Sequence, residues 1–450
     1  MTANTKGEKF VSSFRTKRGI FLFVIAAMIS MFFAAAAGRL VGWLEAFGLP
    51  AWMTLLGPLA CIFVFALGII NYDVLVLLAF ILIGFVRVEP APFDLLIILV
   101  IGMGLLTGKL NLPSLSKEFL VLLGFGGFIL ANLASALGSS QSIESFKFLG
   151  ITLYMLVMFL FIRIYTARPT GLRAVLLGFT ISAVVNSIMV LLGFLGVSLF
   201  SSVVDWSVRG VGFFKDPNVF GAFIAMAMLW VFDRILQPPY RFGRIAGLTA
   251  LVLLLGFGAF SSLSRAVWIN LALSGCIFVG FFIRHAPRKG IQLTIFVTLI
   301  ALISFLFLQS SLIGDIVKTR WQIQGYDVVR FNIQKAGITA GFSHLFGVGP
   351  AGWPNTHSLY VKTFAEQGFL GLASLVLLVG AIAVPLIRFA WNEGEQVALI
   401  SARILLAILA GQLVNSVVID SVHWRHFWLL LGIAWAYPEL RSRISGRNET

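Results

Sequence analysis

The chain has 450 residues, 59% hydrophobic and 11% charged, with a mean hydropathy of +0.98. A soluble domain carries about 25% charged residues, so this composition excludes an ordinary water-soluble fold and points to helices that span a membrane. The apolar runs are long and continuous rather than alternating, which excludes a β-barrel. The formal net charge of +15 would suit nucleic acid, but its distribution along the chain argues for an orientation signal instead. The two cysteines, Cys61 and Cys276, sit inside apolar runs. They exclude a disulfide framework or a cysteine zinc site and read as small core residues.

In chain order, residues 1–19 form a basic N-terminus with Lys6, Lys9, Arg15, Lys17 and Arg18. An apolar run follows over 20–37. It ends in small residues, as a signal-peptidase site does, but further spans follow at once and the run is long, so it reads as an uncleaved first span. Spans are then expected near 51–70, 74–86, 94–107, 119–137, 148–165, 174–200, 219–236, 245–263, 266–283, 291–309, 358–387, 403–419 and 426–437. The third is short and hinged only by Asn71, Tyr72 and Asp73. The expectation is an all-α polytopic transmembrane bundle of about twelve to fourteen spans. Its parts are N-terminal transmembrane helices over 20–200, a core over 201–390, and C-terminal helices with a tail over 391–450.

With the N-terminus cytoplasmic, alternation collects Arg163, Arg168 and Arg173, then Arg234, Arg241 and Arg244, then Arg284, Arg288 and Lys289 on the inside. The tail residues Arg441, Arg443 and Arg447 also fall there. Most of the 33 Lys and Arg thus obey the positive-inside rule, and both termini are cytoplasmic. No internal repeat of the transporter kind and no Walker A motif is present.

The informative residues are the outside cations that topology does not require. The loop 201–218 reads SSVVDWSVRGVGFFKDPN and carries Arg209 and Lys215, with Gly210 and Gly212 allowing close backbone approach. Ser264-Arg265 lies between two apolar runs with almost no loop. Such an arginine either snorkels to the headgroups or turns inward to a polar cavity. The longest outside loop, 310–357, holds Lys318, Arg320, Arg330 and Lys335. It then reads SHLFGVGPAGWPNTH, bringing a Gly/Pro-rich turn to His357 at the start of a span that also carries Glu366 and Gln367. His344 reads as loop chemistry. His423, Arg425 and His426 beside Asp420 form either a second polar lining or an ordinary turn.

Arginine binds phosphate oxygens through a rigid fork of donors, and a diphosphate leaving group needs such a clamp as its charge develops. A histidine with a pKa near 6.5 can take a proton from an attacking hydroxyl. No Asp/Glu constellation of a metal-dependent transferase is evident, and the outside lacks ATP. An activated donor there has to be lipid-carried, and glycan transfer from a polyprenyl diphosphate meets these constraints.

Three stretches resemble the O-antigen ligase/polymerase superfamily. Arg209-Gly-Val-Gly-Phe-Phe-Lys-Asp-Pro-Asn218 is similar to its R-x-x-G-x-F-x-x-P-N pattern. Ser264-Arg265 is similar to its S-R pair. Arg330 through Gly347-Val-Gly-Pro350 to His357-Ser358 and Gly368-Phe-Leu-Gly371 resembles its third motif, which ends E-x-G-x-x-G. Together they cover about residues 205–375. The resemblance implies a bacterial inner-membrane enzyme with its site on the periplasmic face, one longer periplasmic loop, and an inverting reaction needing no metal or other cofactor. The donor it implies is a glycan on undecaprenyl diphosphate, and the acceptor is a saccharide, either lipid A–core or a growing glycan. His357 is then the general base, Arg209, Arg265 and Arg330 bind the diphosphate, and Lys215, Asn218 and Glu366 support them. The implied partners are these substrates and membrane lipid, with no nucleic acid. Spacings around His357 resemble ligases and those after Arg330 resemble polymerases, which leaves the acceptor open. The competing reading is a transporter or lipid flippase, which would place its essential charges near the bilayer midplane.

Overall fold

The computed structural model describes residues 66–110, 118–205, 208–285, 318–319, 322–392 and 399–446. The spans expected over 20–37 and 291–309 and most of that over 51–70, together with Cys61, lie outside the described residues. Among those described the protein is all-helical, without strands. Seven helices are long and apolar enough to cross a membrane, as expected of a multi-pass membrane protein.

The chain divides into two compact units. One comprises residues 1–79 and 94–111. It contains most of α1 (Tyr72–Ile81) and α2 (Pro92–Leu106), joined where the Tyr72 hydroxyl donates to the Val100 carbonyl at 2.9 Å. Both helices are short for a span.

The second unit holds residues 80–93 and everything from 112 onward. Its helices are α3 (Phe119–Leu137), α4 (Ser142–Thr166), α5 (Pro169–Phe194), α6 (Pro217–Ile235), α7 (Phe242–Ser261), α8 (Arg265–His285), α9 (Gly325–Ser343), α10 (Leu359–Asn392), α11 (Ala402–Val418) and α12 (Arg425–Ser445). Small residues set the closest pairings, as in membrane bundles where backbones must approach without a hydrophobic driving force. Gly124 of α3 faces the Leu378 backbone of α10, and Gly411 of α11 faces Asn270 and Ser274 of α8. Gly432 of α12 lies against Phe159 and Ile162 of α4. Arg163 of α4 is buried but paired, its two terminal nitrogens donating to Glu439 of α12 at 2.8 Å and to Glu118 at 2.7 Å while its Nε has no hydrogen-bond partner. A buried arginine is tolerable only with such partners. Cys276 is exposed on the surface of α8, a correction to the reading of it as a core residue. The apolar run around it forms a helix long and apolar enough to cross a membrane, and Cys276 lies on an exposed part of its surface.

Two departures from the sequence reading shape the site. The stretch 310–357 is not only loop: it contains α9, nineteen residues long and opened by a reciprocal capping box between Gln324 and Asp327. The run 358–387, read as one span, is broken. Gly368 adopts φ 67°, ψ −167° inside α10, a region open essentially to glycine alone. The break frees the carbonyls of Ala365 and Glu366, which must find other donors. They accept from the backbone N–H groups of Val348 at 3.0 Å and Gly349 at 3.1 Å. A side chain at Gly347 would strike the Glu366 carbonyl, and one at Gly368 would strike that of Leu345. The Gly-Val-Gly-Pro turn and the Glu-Gln-Gly segment are therefore two halves of one backbone crossing.

Candidate active site

One cavity of about 600 Å³ opens where the N-terminal turns of α6 and α8, the N-terminal half of α9 and the end of α11 converge. Its polar wall is arginine-rich: Arg209, Arg265 and Arg330, set against Asp205 and Asp327, with Asn218 and Gln334 beside them. Val418 and Ile419 close the apolar side.

Each arginine is positioned by its local sequence. Arg209 leaves a tight loop in which Val208 has φ 58° and Gly212 has φ 55°. The Gly210 N–H donates to the Ser261 carbonyl at 2.9 Å, pinning the loop to the end of α7. Arg209 Nε donates to the Ser262 carbonyl at 2.8 Å and Nη2 donates to Asn218 Oδ1 at 3.2 Å. Asn218 is held in turn by Asp216, whose Oδ1 accepts from the Asn218 backbone N–H at 2.7 Å as the N-cap of α6, with Pro217 following. The Asp-Pro-Asn motif thus starts a helix and aims an amide at an arginine.

Arg265 occupies the first turn of α8. Its Nη2 lies 2.7 Å from both carboxylate oxygens of Asp327. Ser264 before it is buried, lines the cavity, and its hydroxyl has no hydrogen-bond partner. Burial works against the charge of Asp327, but the hydrogen bonds from Arg265 and the Gln324 backbone hold its carboxyl below its ordinary range. Arg330 lies one turn further along α9, its guanidinium 5.1 Å over the Tyr326 ring.

His357 does not line this cavity, but stands next to it. Gln334, which does, donates from Nε2 to the Thr356 carbonyl at 3.0 Å. His357 has φ 49°, an uncommon and strained state for a non-glycine residue. Asn355 Oδ1 holds it there, accepting from the His357 N–H at 2.9 Å. Its side chain is half-buried. Burial first, then the Arg330 guanidinium, push its pKa below 6.5, while Asp216 and Asp420 oppose the shift. A neutral imidazole at pH 7 follows.

Of the residues singled out by sequence, Arg209, Asn218, Arg265 and Arg330 meet in one cavity, with His357 adjoining. Lys215 and Glu366 do not line it. Lys215 Nζ lies 2.8 Å from Glu89 Oε1, both side chains more than half exposed. Glu366 is buried beside the backbone crossing. Ser135 donates to its carbonyl, and its Oε1 has no partner. His344 is exposed on the link between α9 and the Gly-rich turn. His423 Nε2 lies 3.1 Å from the Thr152 hydroxyl, and His426 is packed between Trp424 and Phe223.

Asp205, Asp327, Tyr326 and Gln334 were not selected from the sequence. Only the spacing of Asp327, three residues before Arg330 and so on one helix face, could have signalled any of them. Among the described residues no group of three or more His, Cys, Asp or Glu could hold a metal ion. The arrangement can bind a multiply charged anion: two helix N-termini and three guanidiniums face one space. No model of a known protein family matches the chain, and no curated protein matches it.

Proposed function

We propose that this protein is a membrane glycosyltransferase that moves a glycan from a polyprenyl diphosphate to an acceptor hydroxyl at the outer face of the bacterial inner membrane. The observation that carries the reading is the arginine triad of Arg209, Arg265 and Arg330 in one cavity beside His357. A diphosphate fits that wall chemically, and the apolar side formed by Val418, Ile419 and Ile323 suits the start of a lipid chain.

In this mechanism the acceptor oxygen attacks the anomeric carbon as the bond from that carbon to the phosphate oxygen breaks. The bonding electrons leave with the diphosphate, whose developing charge the guanidiniums stabilise. His357 takes the proton from the acceptor hydroxyl. Attack opposite the leaving group inverts the anomeric centre. Arg265 exchanges its Asp327 carboxylate for phosphate oxygens, so it is prefixed for an anion rather than searching for one.

The test is complementation of a null strain with wild type, His357→Ala or Arg265→Ala, with lipopolysaccharide and secreted polysaccharide run side by side. Both variants are expected to insert in the membrane and abolish transfer. Lipid A–core without attached glycan identifies a ligase, and loss of long chains alone identifies a polymerase. Full activity in both variants contradicts the role assignment.

The break in α10 and the ion pair of Lys362 with Asp420 at 2.7 Å favour one alternative, a lipid-linked glycan transporter, since broken helices and paired charges mark transport sites. Translocation in liposomes lacking any acceptor sugar would establish it.

A further inference from the structure

The loop joining α11 to α12 begins at the cavity wall, where Val418 ends α11 and Ile419 follows it, and continues to Asp420. Lys362 stands in the first turns of α10, five residues beyond His357. Its Nζ lies 2.7 Å from Asp420 Oδ2, with both side chains less than 15% exposed. The other Asp420 oxygen accepts from the Val422 N–H at 3.1 Å. The same loop is fastened at its far end, where Trp428 Nε1 donates to the Val422 carbonyl at 2.6 Å and His423 lies against Thr152 of α4. A buried carboxylate and ammonium of this kind are costly unless they satisfy each other, and neither has a part in the transfer chemistry set out above.

We propose that Lys362 and Asp420 are positioning residues that fasten the cavity-wall loop to the helix following His357, each neutralising the other's buried charge. This rests on the reading of His357 as the base. Among the described residues, the charged groups acting on His357 come from four places: Arg330 on α9, Asp216 before α6, Asp420 on the loop and Lys362 on α10. Asp420 favours the imidazolium and Lys362 disfavours it. Paired, they act on His357 in opposite directions. Removing either uncovers the other.

The experiment is a pH titration of the full-length protein in detergent, with histidine labelled at ring Cε1 and the His357 resonance assigned by its loss in His357→Gln. The protein contains five histidines, so the spectrum is sparse. Lys362→Met is expected to raise the His357 titration midpoint, and Asp420→Asn to lower it, each by roughly half a pH unit or more. The double variant returns it close to wild type. Movement of both single variants in one direction, or no movement in either, overturns the proposal. If a single variant fails to fold, the double variant and Lys362→Arg, which keeps the charge, carry the comparison. A wild-type midpoint in Lys362→Arg with a shifted one in the double variant also overturns it. The acid limb of glycan transfer, measured in parallel, should follow the resonance. A resonance that moves while the limb stays put leaves the ion pair's role intact and removes His357 as the base.

Discussion

Arg265 is the side chain on which phosphate recognition turns, and its chemistry is a matter of shape as much as charge. One nitrogen, Nη2, meets both oxygens of Asp327, so the planar guanidinium has further donors to turn as a fork onto a phosphate, which a compact ammonium lacks. Arg265→Lys is therefore expected to reduce transfer by about 10²–10³-fold with the protein still present at wild-type amount, measured as product formed per milligram of purified protein. The pH dependence follows from His357. Burial and Arg330 hold its pKa below 6.5, and the base works in the neutral form. The transfer rate should thus fall on the acid side with a midpoint below pH 6.5, and a midpoint above 6.5 would contradict the assignment. Stability has a separate acid sensitivity at His423, where burial drives the pKa down to about 4 from an ordinary 6.5. Below pH 6.5 the unfolded chain binds a proton there that the folded protein refuses, so stability falls as pH drops from 6.5 toward 4. Thermal melts of wild type and His423→Gln across that window check it: the slope should be shallower in the variant.

At the scale of elements, the site depends on one backbone crossing. The carbonyls freed by the break at Gly368 are capped by the turn that leads to His357, and the two segments approach so closely that neither Gly347 nor Gly368 has room for a side chain. Gly368→Ala is expected to cost about 2 kcal/mol or more through backbone strain and overpacking together, seen as a lowered melting temperature in detergent. Gly126, with nothing within 4 Å of an added side chain, should tolerate alanine. The glycines themselves were legible in the sequence as a motif, but their meeting was not. Residues twenty positions apart carry no local signal of contact. α9 was also illegible as a helix, because polar residues such as Asp327, Arg330 and Gln334 line the cavity while apolar ones such as Val328 and Phe342 remain exposed. A span-length hydrophobic run, the signal that located most of the other helices, never forms there. The arginines were legible because topology did not require them. Asp327 was not, because a carboxylate in a polar stretch looks like an ordinary solvated residue until its partner is seen.

For the whole molecule, the charge bias of the basic loops sets an expectation for the side on which the cavity opens. The cavity sits at the N-terminal ends of α6 and α8 and the C-terminal end of α11, the ends that the charge bias assigns to the outside. In a chain with Cys61 and Cys276 replaced by alanine, a cysteine at exposed Thr339 of α9 should react with a membrane-impermeant maleimide added to intact spheroplasts. A cysteine at Arg388, at the other end of α10, should react only after lysis. The reverse pattern would place the cavity in the cytoplasm, where the proposed lipid-linked chemistry has no support. The measurement that bears most directly on the central claim is reconstitution of the purified chain in liposomes with an undecaprenyl-diphosphate-linked glycan and a saccharide acceptor, following glycan transfer and release of undecaprenyl diphosphate together. Wild type should yield both in equal amounts, with His357→Ala and Arg265→Ala yielding neither. Equal release without transfer to the acceptor, or transfer undiminished in both variants, would contradict the account.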